Sequence, residues 1–246
     1  MDGLSQQAAD FTVTHETEPS DVLLAGFSEF GLAGLTAVDY LIDQLELEQT
    51  GHISVEGLPA ITPFEEGRPR HHTRLFSRPD VDVTVLVGEL FVPVPVGKAF
   101  SDAILDWTEA NGVEEVAVLS GVPIAHGPDE HRTYYIATPD YHERRLTEGT
   151  VPAMGRGFLD GLNAELVARG LDSSLGVCVY VTPVHAQIPD VDAAIRLVET
   201  VASVYDLDID AGPLEEFAEE VRQYYAELMD RIETQEHERP EDRMYM

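Results

Sequence analysis

The sequence predicts an α/β fold: a mainly parallel mixed sheet flanked by helices on both faces. Three observations predict it. Four short runs, Asp21–Gly26, Val81–Gly88, Glu115–Gly121 and Gly176–Val181, are apolar at nearly every position, as strands covered on both faces must be. The segments between them carry apolar residues at helical spacing. No long linker interrupts the 246 residues, so 11–233 is expected to form a single α/β domain between a disordered segment 1–10 and a flexible tail 234–246.

Taken in order, Phe11-Thr12-Val13-Thr14 reads as a short strand, and Pro19-Ser20 punctuates before the first buried strand. A glycine-rich turn from Gly26 to Gly34 leads into a helix whose Leu35, Val38, Leu41, Ile42 and Leu45 share one face, with Gly51 as its stop. Extended segments near His52–Glu56 and Thr73–Phe76 flank a Pro/Gly/Arg-rich stretch, 57–72. After the strand 81–88, Val92-Pro93-Val94-Pro95 is expected to be irregular, and a helix is expected from Gly97 to Ala110, ended by Asn111-Gly112. Residues 122–155 read as loop, with Pro123, Pro128 and Pro139. A helix over Gly157–Arg169 ends before Gly170, and another occupies 190–204 after Pro189. From Pro213 to Gln235 a last helix places Leu214, Phe217, Val221, Tyr224 and Leu228 in one stripe, suited to docking on its own domain or on a second subunit.

Charge narrows the function. Fifteen Lys and Arg against 46 Asp and Glu give a net charge of −31, and Lys98 is the only lysine. Nucleic acid and anionic membrane are bound by neutralising negative charge, so neither is an expected partner. A hydrophobic content of 43% argues against disorder. Adaptation to a salt-rich cytoplasm fits better, because at molar salt the screening length is only about 3 Å. No apolar run reaches membrane-spanning length, and the start lacks the basic-then-apolar pattern of a secretory signal, so the expected location is cytoplasmic. The single Cys178, in an apolar run, reads as a buried strand residue and forms no internal disulfide.

Spacing excludes the common catalytic and ligand motifs. Gly26-Phe27-Ser28-Glu29-Phe30-Gly31-Leu32-Ala33-Gly34 fails the dinucleotide pattern because Ser28 replaces the second glycine, and fails the phosphate-loop pattern because Leu32-Ala33 follows Gly31. Glu29 would repel a phosphate, so the glycines read as a tight turn with close helix–sheet packing. His71, His72, His126, His131 and His142 fall in loops without a zinc-binding spacing, and Arg68, Arg70 and Arg74 disfavour a cation beside the first two. Neither a cofactor nor a metal is expected. An alternative reading keeps a phosphorylase- or hydrolase-like pocket at the strand C-termini, for which His126 or His185 would be the base.

The terminal Met244-Tyr245-Met246 is a hydrophobic–Tyr–any sequence on a polar tether. A carboxylate there can pair with a lysine, the ring can be buried, and the hydroxyl can hydrogen-bond. The chain also resembles the archaeal branch of the proteasome assembly chaperone family, relatives of the eukaryotic proteasome assembly chaperone 2. The resemblance spans about residues 10–235. It rests on the Leu24–Gly34 segment, on Leu86-Val87-Gly88-Glu89 and on the Leu119-Ser120-Gly121 strand end. It implies a nucleoside-phosphorylase-like domain without a demonstrated active site, assembly into homo-oligomers, and a tail that enters pockets between α subunits of the proteasome core particle. Met244, Tyr245 and Met246 match that tail pattern position by position. The expected function is therefore that of an ATP-independent assembly chaperone or activator-like partner of the core particle.

Overall fold

The computed structural model describes residues 9–124, 127, 130–146, 149–185 and 189–223. An eight-stranded sheet runs in the order β1 (Asp10–His15), β3 (Glu48–Glu56), β6 (Thr73–Ser77), β7 (Thr84–Gly88), β2 (Val22–Phe27), β8 (Glu115–Val122), β10 (Gly176–Pro183), β9 (Tyr134–Ala137). β7, β2, β8 and β10 are mutually parallel, whereas β1, β3, β6 and β9 join antiparallel at the two sides. β4 (Phe64–Glu65) and β5 (Arg68–Pro69) form a separate small hairpin. The parallel part is the part whose strands are apolar at consecutive residues. Period-two side chains then supply both faces at once.

One face receives α1 (Ala33–Gln44), α3 (Pro139–Arg145) and α5 (Val191–Tyr205), packed on Val22, Leu24, Val85, Val87, Ala117, Leu119, Cys178 and Tyr180. The other receives α2 (Val94–Ala110) and α4 (Gly161–Leu171), packed on the alternate residues Leu23, Ala25, Phe27, Leu86, Val116, Val118, Val177 and Val179. Helices therefore cover both faces, as the consecutive apolar strands require. Cys178 is fully buried, and burial pushes its thiol far up.

The last described helix, residues 212–223, lies on the first of these faces, with Leu214 and Ala218 buried there. Arg222 pairs with Asp192 of α5. Of the expected stripe, Leu214 and Val221 thus pack on their own domain while Phe217 stays exposed; Tyr224 and Leu228 lie outside the described residues.

Several boundaries move. α1 ends at Gln44, and Glu46 with φ +50° turns the chain directly into β3, so Gly51 is a strand residue and not a helix stop. A Cβ on Gly51 would come within 2.5 Å of the Thr14 carbonyl oxygen, next to the bulge that shifts the β3–β6 register. The helix expected from Gly97 begins at Val94. Pro95 is tolerated because first-turn N–H groups have no helical partner. The stretch 122–155 contains β9 and α3, and the helix expected from Gly157 starts at Gly161.

Candidate functional site

β2 and β8 are neighbours, and the connections leaving β2 and β7 run over opposite faces through α1 and α2. This is a topological switch point, and the crevice at the strand C-termini is where such folds place ligands. The glycine turn builds its floor. A Cβ on Gly34 would lie 1.9 Å from the Leu119 carbonyl oxygen, and one on Gly26 would lie 2.2 Å from the Gly34 carbonyl oxygen. Both separations are impossible, so these glycines let the start of α1 seat directly on β2 and β8. Gly31 at φ +66° and Leu32 at φ +51° then reverse the chain in the left-handed region.

That reversal directs Glu29 inward. The Ser120 hydroxyl donates to Glu29 Oε2 at 2.6 Å, and Asn163 Nδ2 in α4 lies 3.3 Å from the same oxygen. Burial pushes the Glu29 carboxyl above the ordinary range; the Ser120 and Asn163 hydrogen bonds pull the other way, and nearby Asp160 adds to the rise. Asn163 Oδ1 is buried with no hydrogen-bond partner. Local spacing marks Glu29 only as a repeller of phosphate and does not pair it with Ser120 or Asn163. They lie 91 and 134 residues away along the chain.

A carboxyl beside a serine hydroxyl at a switch point has the chemistry for proton transfer. Among the described residues, the cavities beside His71, Glu114 and His185 are lined by other side chains.

His185, one of the two candidate bases, lies on a cavity of about 490 Å³ with His131, Asp190 and Arg196. Its Nδ1 is 2.9 Å from Asp190 Oδ2, while Asp190 Oδ1 accepts the Ala193 N–H at the start of α5. Burial alone would raise the Asp190 carboxyl. Hydrogen bonds from the His185 and Ala193 N–H groups and from the His185 ring outweigh that and hold it below the ordinary range. His185 is thereby built into a helix cap. His126 lies outside the described residues.

Of the other histidines, His71 stacks on His52 at 3.7 Å between ring centroids, and buried His72 bonds Thr73 Oγ1. No group of three or more His, Cys, Asp or Glu able to hold a metal is found among the described residues. No described helix is long and apolar enough to cross a membrane. Met244, Tyr245 and Met246 lie outside the described residues.

A mixed α/β sheet with a glycine-built switch point and a further helix docked beside α5 is the architecture of a known class. The model of the PAC2 family matches residues 23–229, and the chain belongs to that family. Its fold is similar to that of Pyrococcus furiosus PbaA, an archaeal homologue of proteasome-assembly chaperone. The TM-score is 0.77 at 19% identity, over 92% of this chain and 99% of that one. It is also similar to P. furiosus PbaB, an archaeal proteasome activator, with TM-score 0.75 at 19% identity over 89% and 99% of the two chains. A Mycobacterium tuberculosis proteasome-assembly chaperone homologue gives TM-score 0.64 at 18% identity over 90% and 97%. No curated protein sequence matches the chain.

Proposed function

We propose that this chain is an ATP-independent proteasome assembly chaperone or activator-like protein. In this reading it forms a homo-oligomer and docks Met244, Tyr245 and Met246 into α-subunit pockets of the proteasome core particle. The observation that carries the reading is the family match over residues 23–229, together with the fold shared with PbaA and PbaB, the one a homologue of an assembly chaperone and the other an activator. The chemistry of the last residues agrees with it. A methionine fills an irregular apolar pocket, and a tyrosine adds a large ring with a hydroxyl. Fully extended, residues 234–246 could span at most roughly 40 Å. An oligomer presents several such tails, and each bound tail raises the local concentration of the rest.

Pull-down of α subunits with immobilised protein tests the proposal. Tyr245→Ala, or removal of 244–246, is expected to abolish capture while melting temperature and oligomeric mass stay unchanged. Undiminished capture by the truncated protein would refute tail docking.

The net charge of −31 suits a salt-rich cytoplasm, where self-repulsion is screened. One observation favours a second reading, a hydrolase- or phosphorylase-like enzyme: the raised Glu29 carboxyl 2.6 Å from the Ser120 hydroxyl. A melting-temperature shift with nucleosides and phosphate, lost in Ser120→Ala, would favour that enzyme over the chaperone.

A further inference from the structure

The connection from β3 to β6, residues 57–72, forms an arm with little apolar surface to hold it. From Pro59 to Pro69 every residue except Pro63 is exposed, and none is buried. The two roots of the arm are fixed. Leu58 packs on the core at one, and at the other the His72 carbonyl accepts the Glu89 N–H. Between them Arg70 reaches Glu89 at 2.7 Å, and His71 lies flat on His52 of β3, with ring centroids 3.7 Å apart and planes 9° from parallel. Arm and strand ends together form a cavity of about 410 Å³ between Val55, Leu58, Ile61, Arg70, His72 and Leu90.

Two positively charged rings at that separation repel, so the stack and full protonation exclude one another. The register adds another cation. Arg74 of β6 lies directly opposite His52 on the ladder, with uncharged Thr14 of β1 on the other side. The acids around the pair are Glu16 beyond β1, Glu65 in the arm, Glu89 beyond β7 and Asp39 of α1. Glu65 and Glu89 are engaged by Arg70, and Arg74 shares Glu89. Burial, and after it His71, holds the His52 ring below its ordinary value of 6.5, against Glu16. Burial and His71 lower His72 in the same way, against Glu89.

We infer that the His52–His71 stack is an acid-released fastening: when both rings carry a proton, residues 59–71 swing off the sheet and open the cavity to solvent. A lowered ring favours the closed arm fully above pH 6.5 and ceases to do so as pH falls below it. The remaining tie is then the Arg70–Glu89 pair, for which Arg74 competes and which salt screens. A segment without buried apolar contacts opens locally while the rest of the fold stays intact.

A nitroxide on Phe64→Cys, at the exposed hairpin, reports the arm's mobility; Cys178 is fully buried and escapes labelling. For each pH unit by which closure holds a ring down, acid favours opening about tenfold. The mobile fraction is therefore expected to rise about tenfold between pH 8 and pH 5 in molar salt, with the circular dichroism unchanged. The rise should vanish in His71→Phe and in His52→Phe, which keep a flat ring but cannot be charged. It should persist in Asp39→Asn, which removes the carboxyl that titrates at about 6 in the same network. An equal mobile fraction at both pH values, or a rise that survives either phenylalanine variant, overturns the inference. So does a rise lost in Asp39→Asn, or one accompanied by loss of the circular dichroism signal.

Discussion

Glu29 and Ser120, 91 residues apart in sequence, meet at 2.6 Å across the C-terminal ends of β2 and β8, with Glu29 Oε2 accepting the serine proton. Because burial raises the Glu29 carboxyl, its ionised form is disfavoured in the folded chain. A raised carboxyl favours the folded state most at low pH, and that benefit disappears as pH rises through the folded value. Glu29→Gln removes the charge, keeps an oxygen for Ser120, and offers an N–H that Asn163 can accept by turning its amide, so that the unpartnered Oδ1 takes the place of Nδ2. It is expected to be more stable than the wild type at pH 8 by about 1 kcal/mol, roughly 2–4 °C for a chain of this size. The difference should shrink towards pH 4. Paired thermal melts across this range check it, and a less stable variant at pH 8 would show that ionised Glu29 is favoured after all.

Gly34→Ala is expected to cost at least about 3 kcal/mol or to abolish soluble expression. Its Cβ would sit 1.9 Å from a backbone carbonyl, where no flexible side chain can give way. Gly155→Ala is the control: nothing lies within 4 Å of its Cβ and its φ is not in the left-handed region. It should change stability by less than about 0.5 kcal/mol. Urea denaturation of both variants is the measurement.

Salt should stabilise the fold. Among the described residues Glu115 is the most deeply buried acidic residue, held by Arg145 at 2.9 Å, and Glu29, Asp39 and Asp190 are largely shielded as well. Most of the remaining described carboxylates are at least partly in solvent, and acids outnumber Lys and Arg threefold along the chain. Raising salt from 10 mM to 1 M shortens the screening length from about 30 to about 3 Å, which removes most of their mutual repulsion. The melting temperature is expected to rise by several degrees between these limits. A salt-independent melt would contradict the high-salt reading.

What could be read in the sequence follows from which signals are local. The four central strands were legible because burial on both faces leaves continuous apolar runs, as in Val116-Ala117-Val118-Leu119. The structural role of Gly26 and Gly34 was legible from the failure of every phosphate-binding spacing. β9 and α3 were not. Tyr134–Ala137 is half-buried and pairs with β10 and, through a single bridge at Tyr135, with Ala153, and α3 is seven residues long, anchored by Tyr141, whose hydroxyl bonds those of Tyr180 and Tyr205. Three tyrosines spread over 64 positions give no periodicity to detect. The Glu29–Ser120–Asn163 cluster failed to show for the same reason, since only the switch-point topology brings its members together.

Asp39 gives the sharpest pH-dependent test. It lies on α1 near Arg74 of β6, and Arg74 in turn is 3.5 Å from Glu89, which Arg70 contacts at 2.7 Å. Burial pushes the Asp39 carboxyl up to about 6; Arg74 opposes the rise and Glu89 adds to it. The unfolded value is 3.8. A raised value means that the stabilising contribution is complete below about pH 4 and is lost as pH climbs through about 6. Above that, the wild type carries a buried ionised carboxylate that Asp39→Asn does not. Each pH unit separating the folded from the unfolded value corresponds to about 1.4 kcal/mol, but the variant also leaves Arg74 with one anion fewer. A net gain of about 1–2 kcal/mol for Asp39→Asn at pH 8, vanishing near pH 4, is therefore expected. Absolute stability will drift with the titration of the other carboxylates, so the quantity to read is the difference between variant and wild type at each pH. A variant destabilised at pH 8, and more so in low salt, would mean that attraction to Arg74 outweighs burial and that the Asp39 carboxyl is ionised in the folded protein well below pH 6.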